Sequence, residues 1–369
     1  MRPARLFGPV VVAVVAVWCS FAHAQDKYEI RPYASRGNPV TVKDFQPKFI
    51  GKEWYLESYS FNGWFDDGSR VYIQFVINNL GIGDFKAGVS MSYSPAKGKG
   101  AGLAEKADYG EWKYNRSGDF LLSIKNNFVT GNEKGFHIKG KDDNFAIDVQ
   151  FKNRVAPWRP KDGRVLYGPN GEDGIYDFLL MAPRADVSGT VTVRGKTIQV
   201  KGIGFGDHST MDVPAFDQSR RWIRLRAYDK RHSVLLSEFV TPPAQGSVRI
   251  PWLLVTRDGV PILQSFRYRL KPVTYGPDEK YSRYVTVTEY ELEAKSKRVH
   301  LKGRVKMKKL LSRYSFVNKL PPIIRSIVRQ VVDPMSFTWR NEFSFTLVVD
   351  GEEVDVQGEG ISEMTYSNP

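Results

Sequence analysis

Residues 184–208, RADVSGTVTVRGKTIQVKGIGFGDH, lie in register over residues 340–364, RNEFSFTLVVDGEEVDVQGEGISEM. Arg184 meets Arg340, Gly195 meets Gly351, Gly202 meets Gly358, and Gly204 meets Gly360. The first copy alternates apolar and polar residues, turns at Arg194-Gly195, and alternates again until Asp207-His208. That is the pattern of a half-buried β-hairpin, and its recurrence marks an internal duplication. A weaker match sets WYLESYS, from Trp54, over WIRLRAY, from Trp222. Each half is therefore expected to open with a Trp-bearing strand and close with the hairpin, giving two β units, 25–212 and 213–369. The repeated glycines fit tight turns and kinks where a sheet curls. The second copy ends in Glu363-Met364. The hairpin then reads as scaffold, with Asp207-His208 an elaboration of the first copy at the seam between the units, a common place for ligand sites.

The rest of the chain agrees with this reading. Runs such as RVYIQFVIN, AIDVQFKN and EFSFTLVVD are separated by NNLG, KDG and GPNGEDG. A chain of short strands must close into barrels or stack as sandwiches to protect its edges. One interruption, NKLPPIIRSIVRQVVDP, predicts an amphipathic helix near 321–333, with Pro321 and Pro322 at its start and Asp333-Pro334 at its end. Packed on a barrel it is structural; as a lid or membrane-touching segment it would use its basic face.

Arg2 and Arg5, the run LFGPVVVAVVAVWCSFA and the Ala22-His23-Ala24 site read as a signal peptide over 1–24, with mature start at Gln25 and a periplasmic or secreted destination. An uncleaved anchor is the alternative, although the run is short for a span. Bulky Trp18 before Cys19 does not suit lipoprotein processing. Cys19 is the only cysteine, so cleavage leaves none, which excludes disulfides, thiol chemistry and cysteine zinc sites. The net charge of +14 falls by two to +12 with that segment removed. Such an excess suits an anionic membrane surface; an exported chain without recognition motifs is not expected to meet nucleic acid.

No two of His137, His208, His232 and His300 stand at a metal-ligand spacing, no Gly-x-Ser-x-Gly elbow is present, and no cofactor is expected. Residues 202–206, GIGFG, follow a strand but open no helix, so they make a poor phosphate loop. HLKGRVKMKK reads as the outer face of a hairpin, with Glu291 expected opposite Lys302 and Glu289 opposite Arg304. Asp207-His208 differs from these. Neighbours on a strand face opposite ways, so at most one of the two enters a cavity unless the chain bends. A carboxyl group buried at an apolar barrel mouth would hold its proton and could donate it to an alkene. As a plain alternative, Asp207 caps the hairpin end.

The stretch from Val155 to Ser209 resembles the lipocalin-like group of hydroxyneurosporene synthases (carotenoid 1,2-hydratases), AttH-like proteins and fungal survival-factor proteins. The residues that carry the likeness are Arg184, Gly189, Gly202, Gly204, Phe205, Asp207 and His208. The resemblance implies an all-β fold of two tandem lipocalin-like (calycin-type) antiparallel barrels packed side by side, with a cleft near their junction. The motif usually continues Asp-His-x-Trp-Gly, whereas this chain runs Asp207-His208-Ser209-Thr210-Met211. That departure shifts the expectation from hydration to binding of an isoprenoid, sterol-like molecule or lipid, with Phe205, Trp222, Arg226, Tyr228 and Glu238 as ligand-binding candidates. Two rivals stand beside it: a hydratase or isomerase with Asp207 as acid and His208 as its partner, and an envelope adaptor on the membrane surface.

Overall fold

A computed structural model describes residues 29–79, 85–319 and 333–367. The expected signal peptide and, but for Asp333, the expected helix lie outside them. The first half contains β1 (Ile30–Pro32), β2 (Leu56–Phe65), β3 (Arg70–Asn78), β4 (Lys86–Ser94), β5 (Ala101–Ala107) and β6 (Trp112–Tyr114). It continues with β7 (Phe120–Ile124), β8 (Asn127–Asn132), β9 (Gly135–Lys141), β10 (Phe145–Asn153), β11 (Arg164–Tyr167), β12 (Gly174–Val193) and β13 (Lys196–Met211). A short helix, α1 (Ala215–Gln218), leads to β14 (Arg221–Tyr228), β15 (His232–Val240), β16 (Arg249–Arg257), β17 (Val260–Ser265) and β18 (Arg269–Pro277). The chain then runs through β19 (Val285–Lys295), β20 (Val299–Tyr314), β21 (Met335–Val349) and β22 (Glu352–Tyr366).

Pairing separates two antiparallel sheets, ordered β5-β4-β3-β2-β13-β12-β10-β9-β8-β7-β6 and β17-β16-β15-β14-β22-β21-β20-β19-β18, with β1 and β11 joined to the first through β12. Both are lipocalin-like barrels, each wrapped around its own core. In the first, strands far apart in the order, β5 and β7, come into contact. Alternation sets what points inward: along β10, Phe145, Ile147, Val149 and Phe151 are buried and the residues between them are not. A third apolar cluster lies between the barrels and joins Tyr176, Phe178 and Phe205 of the first to Tyr228, Leu235, Phe239 and Trp252 of the second. Strands facing both a core and this seam read as unbroken apolar runs. In β12, Leu179 and Met181 enter the first core while Phe178 and Leu180 enter the seam.

The duplication holds in three dimensions. β12–β13 and β21–β22 are the two hairpins, flanked by β2 and β10 in one half and by β14 and β20 in the other. Both turn on two residues with positive φ, 50° and 79° at Arg194-Gly195, 51° and 92° at Asp350-Gly351. Two-residue turns of that kind match strand twist. Gly202 passes against the Trp64 carbonyl, and Gly358 passes against that of Tyr228.

Two registers differ from the sequence expectation. Asp207 pairs with Ser60 and Glu363 with Arg224, so Trp222 corresponds to Ser58; Trp54 precedes β2, and the Trp-to-Trp match was four residues out. In the charged ladder Glu293 faces Lys302, Glu291 faces Arg304 and Glu289 faces Lys306. The hairpin there turns on Lys297-Arg298, closed by Ser296 N–H donating to the Val299 carbonyl at 2.7 Å, which shifts every pair by two. Arg304 still reaches Glu289 at 3.2 Å and Glu291 at 2.9 Å.

Candidate functional site

Strand β13 crosses the boundary between core and seam, and its alternation separates the Asp-His pair. Phe205 and Asp207 face the second barrel, whereas Gly204, Gly206 and His208 face the interior of the first. The two side chains therefore act on different sides of one sheet.

Inside the first barrel, His208 Nε2 lies 2.6 Å from Glu57 Oε1, and its ring stacks on Tyr59 with centroids 4.2 Å apart. Glu57, wholly buried, also accepts from the Tyr55 hydroxyl, from Lys48 N–H at 2.9 Å and from Thr210 Oγ1 at 3.3 Å. The Tyr59 hydroxyl is shared between Glu57 Oε1 at 3.1 Å and the Phe45 carbonyl at 3.0 Å. Burial alone would raise the Glu57 carboxyl; His208, Tyr55 and Lys48 together hold it below its ordinary value. Glu57 was not among the sequence candidates. Its signal was present: Tyr55, Glu57, Tyr59 and Phe61 alternate onto one buried face. In the second barrel Met364 fills the place of His208 and Ile223 that of Tyr59, so this polar network belongs to the first copy alone.

At the seam both copies carry an acid beside the same two arginines. Asp207 and Glu363, equivalent residues, share the field of Arg224 and Arg226. This corrects the expectation that Glu363 is plain scaffold: it lies 3.2 Å from Arg226 and 3.7 Å from Arg224. Burial pushes the Asp207 carboxyl above its usual range, against Arg224 and Arg226. The space beside it, walled by Phe178, Phe205 and Trp252, is only about 10 Å³.

Arg226 is 3% exposed, its guanidinium 4.2 Å from the Phe205 ring centroid and 5.9 Å from that of Trp64. It also borders a cleft of about 590 Å³ between the barrels, with Trp64, Ile203, Tyr228, Leu310, Leu311 and Ile361 as apolar wall and Arg70, Lys309 and Arg340 as cations. That volume is in the range of small-molecule sites.

Of the sequence candidates, Phe205, Asp207, Trp222, Arg226 and Tyr228 meet at the seam. Trp222 packs on Phe239 and Tyr176 and donates Nε1–H to Ser237 at 2.5 Å; the Tyr228 hydroxyl donates to the Pro183 carbonyl at 3.0 Å. His208 and Glu238 do not join them. Glu238 pairs with Arg249 at 2.5 Å, on the other face of β15 from Ser237 and Phe239. Among the described residues no cluster of His, Cys, Asp or Glu could hold a metal, and no helix is long and apolar enough to cross a membrane.

The molecule is thus a double lipocalin-like barrel with a cleft at its seam, and its fold is shared by solved proteins of low sequence identity. CghA, solved with Sch210972, superposes with TM-score 0.64 at 11% identity, over 93% of this chain and 97% of its own. A protein assigned as AttH from Nitrosomonas europaea gives 0.57 at 14%, over 88% and 95%. The chain belongs to the Svf1 family, whose profile matches residues 40–367. The ceramide-binding protein SVF1 of Yarrowia lipolytica is 24% identical over 254 residues, 63% of this chain and 63% of that protein, so the match spans less than two thirds of it. The corresponding protein of Emericella nidulans is 22% identical over 331 residues, 84% of this chain and 85% of its own.

Proposed function

We propose that the protein binds a ceramide-like lipid in the cleft between the barrels, and that it does so outside the cytoplasm after cleavage before Gln25. The cleft of about 590 Å³ carries the proposal, because it joins an apolar wall to buried donors that an amide or hydroxyl head can satisfy. Each methylene taken from water contributes about 0.8 kcal/mol. Relatives named for ceramide binding support the choice of lipid. The net charge of the cleaved chain, +14 less the two of Arg2 and Arg5, supports loading at an anionic bilayer. The experiment is extraction of ceramide from phosphatidylserine vesicles. Wild-type protein should extract it, less well at high salt, and Ile203→Asp or Leu311→Asp should cut extraction at least tenfold with an unchanged melting temperature. Full extraction by both variants would remove the cleft from consideration. N-terminal sequencing of native protein should read from Gln25, and an intact Met1 would refute export.

Asp207 supports a second reading, a hydratase-type enzyme that protonates an unsaturated lipid, since burial keeps its carboxyl above the usual range. Against it stand the narrow space at Asp207 and the departure of His208 into the other face. Asp207→Asn discriminates between the two. A binding protein loses about 1 kcal/mol of affinity with one neutral hydrogen bond, whereas an acid catalyst loses about 10²–10⁴-fold in rate.

A further inference from the structure

The two halves meet through equivalent surfaces, but the seam is closed at one end only. At the closed end Arg184, from the first hairpin, donates to the carbonyls of Asp229 at 2.7 Å and Lys230 at 3.3 Å in the turn after β14, and to that of His232 at 3.0 Å at the start of β15. Its duplicate, Arg340, approaches the loop after β2, where Gly68 lies. There it makes no such bonds among the described residues, and its charged partner is Glu359, 3.7 Å away. The cleft occupies the space that the first end fills.

Two further guanidinium groups border that space. Arg226 is buried, and its Nε has no acceptor among the described residues; Glu363 lies 3.2 Å from Nη1 but off the line of a hydrogen bond. A buried donor left unmade is costly. Arg70 donates to the Leu311 carbonyl at a long 3.4 Å, and burial with like-charged Arg340 nearby pushes it below its ordinary value although Glu363 opposes this. The acids on the cleft lining, Asp66, Asp67 and Glu359, sit exposed at its rim, where water and salt screen them. Asp67 is also engaged with Ser69 N–H at 2.8 Å and Ser69 Oγ at 2.6 Å.

We infer that Arg70, Arg226 and Arg340 form a subsite for an anionic head of the phosphate-monoester type, borne by the lipid in the cleft. The three planar donor forks would supply the hydrogen bonds to its oxygens, and the apolar wall of Trp64, Ile203 and Ile361 would receive the adjoining chain. The inference rests on the lipid-binding reading and narrows it to a phosphorylated sphingolipid.

The test compares ceramide and ceramide 1-phosphate with identical chains, using full-length mature protein, with inorganic phosphate as competitor. The expected result is at least tenfold tighter binding of the phosphorylated lipid, falling to near parity in Arg340→Gln and Arg70→Gln. Both residues are partly exposed, so the fold should survive; Arg226→Lys, which keeps the buried charge but loses the fork, should lose most of the preference. Equal affinity for the two lipids would overturn the anionic subsite and leave lipid binding standing. Failure to bind either lipid would overturn both readings. Binding of inorganic phosphate without either lipid would show a free-anion site and overturn the headgroup assignment.

Discussion

Glu57→Ala should cost about 3–5 kcal/mol of unfolding free energy, read as a shifted urea midpoint with unchanged slope. Removing the carboxylate strands His208, Tyr55 and Thr210 in the interior of the first barrel, and each buried polar group left unpaired costs about 1–3 kcal/mol. Replacing both partners with apolar residues costs less, because the imidazole is then no longer stranded, while Tyr55, Thr210 and the Lys48 N–H lose their acceptor in either case. Glu57→Leu with His208→Leu should recover at least half of the loss, and the second barrel already carries Met364 at the His208 position. The pH dependence has a fixed sign. A carboxyl held below its ordinary 4.5 in the folded state contributes stability at neutral pH and loses it as pH falls below that value through the folded one. Glu57→Gln should lack this share of the acid decline. A loss under about 1 kcal/mol for Glu57→Ala would show that the network adds nothing to stability.

Gly202→Ala should cost about 3 kcal/mol or prevent folding, while Gly358→Ala, its duplicate, should cost about 1 kcal/mol. A Cβ at Gly202 would lie 2.0 Å from the Trp64 carbonyl oxygen and 2.7 Å from the Phe65 Cα, so backbone would have to part from backbone along β2–β13. At Gly358 the nearest atoms, Phe343 Cζ and the Tyr228 carbonyl oxygen, are 3.2 Å away, and a side chain can give. Equal stability of the two variants in urea would refute this account.

These glycines also explain what the sequence disclosed. Close backbone approach at Gly202 and Gly360 and positive φ at Gly195 and Gly351 favour glycine, so these positions align between copies that otherwise diverge, and with them come the hairpins and the twofold layout. Trp54 and Trp222 carried no such constraint, and their match was incidental. Asp207 and Glu363 differ in letter but keep a carboxyl group in the same place, which a comparison of letters reads as loss. Glu57 escaped because one acid in a strand reads as surface; only its pairing with a strand about 150 residues away brings it to His208. The cleft was still less legible, since it arises where Arg340 fails to do what Arg184 does.

In each half the strand that opens the barrel is held by the strand that closes it: Leu56 pairs with Met211, and Arg221 with Tyr366. As the chain is made, β2 and β14 each wait with one edge bare until the final hairpin of their half arrives. Contacts so distant in sequence form slowly, and open edges recruit other chains. Ribosomal output therefore sets the earliest moment of closure for each barrel, and the interval before it is when the protein is most exposed to aggregation and most in need of a chaperone.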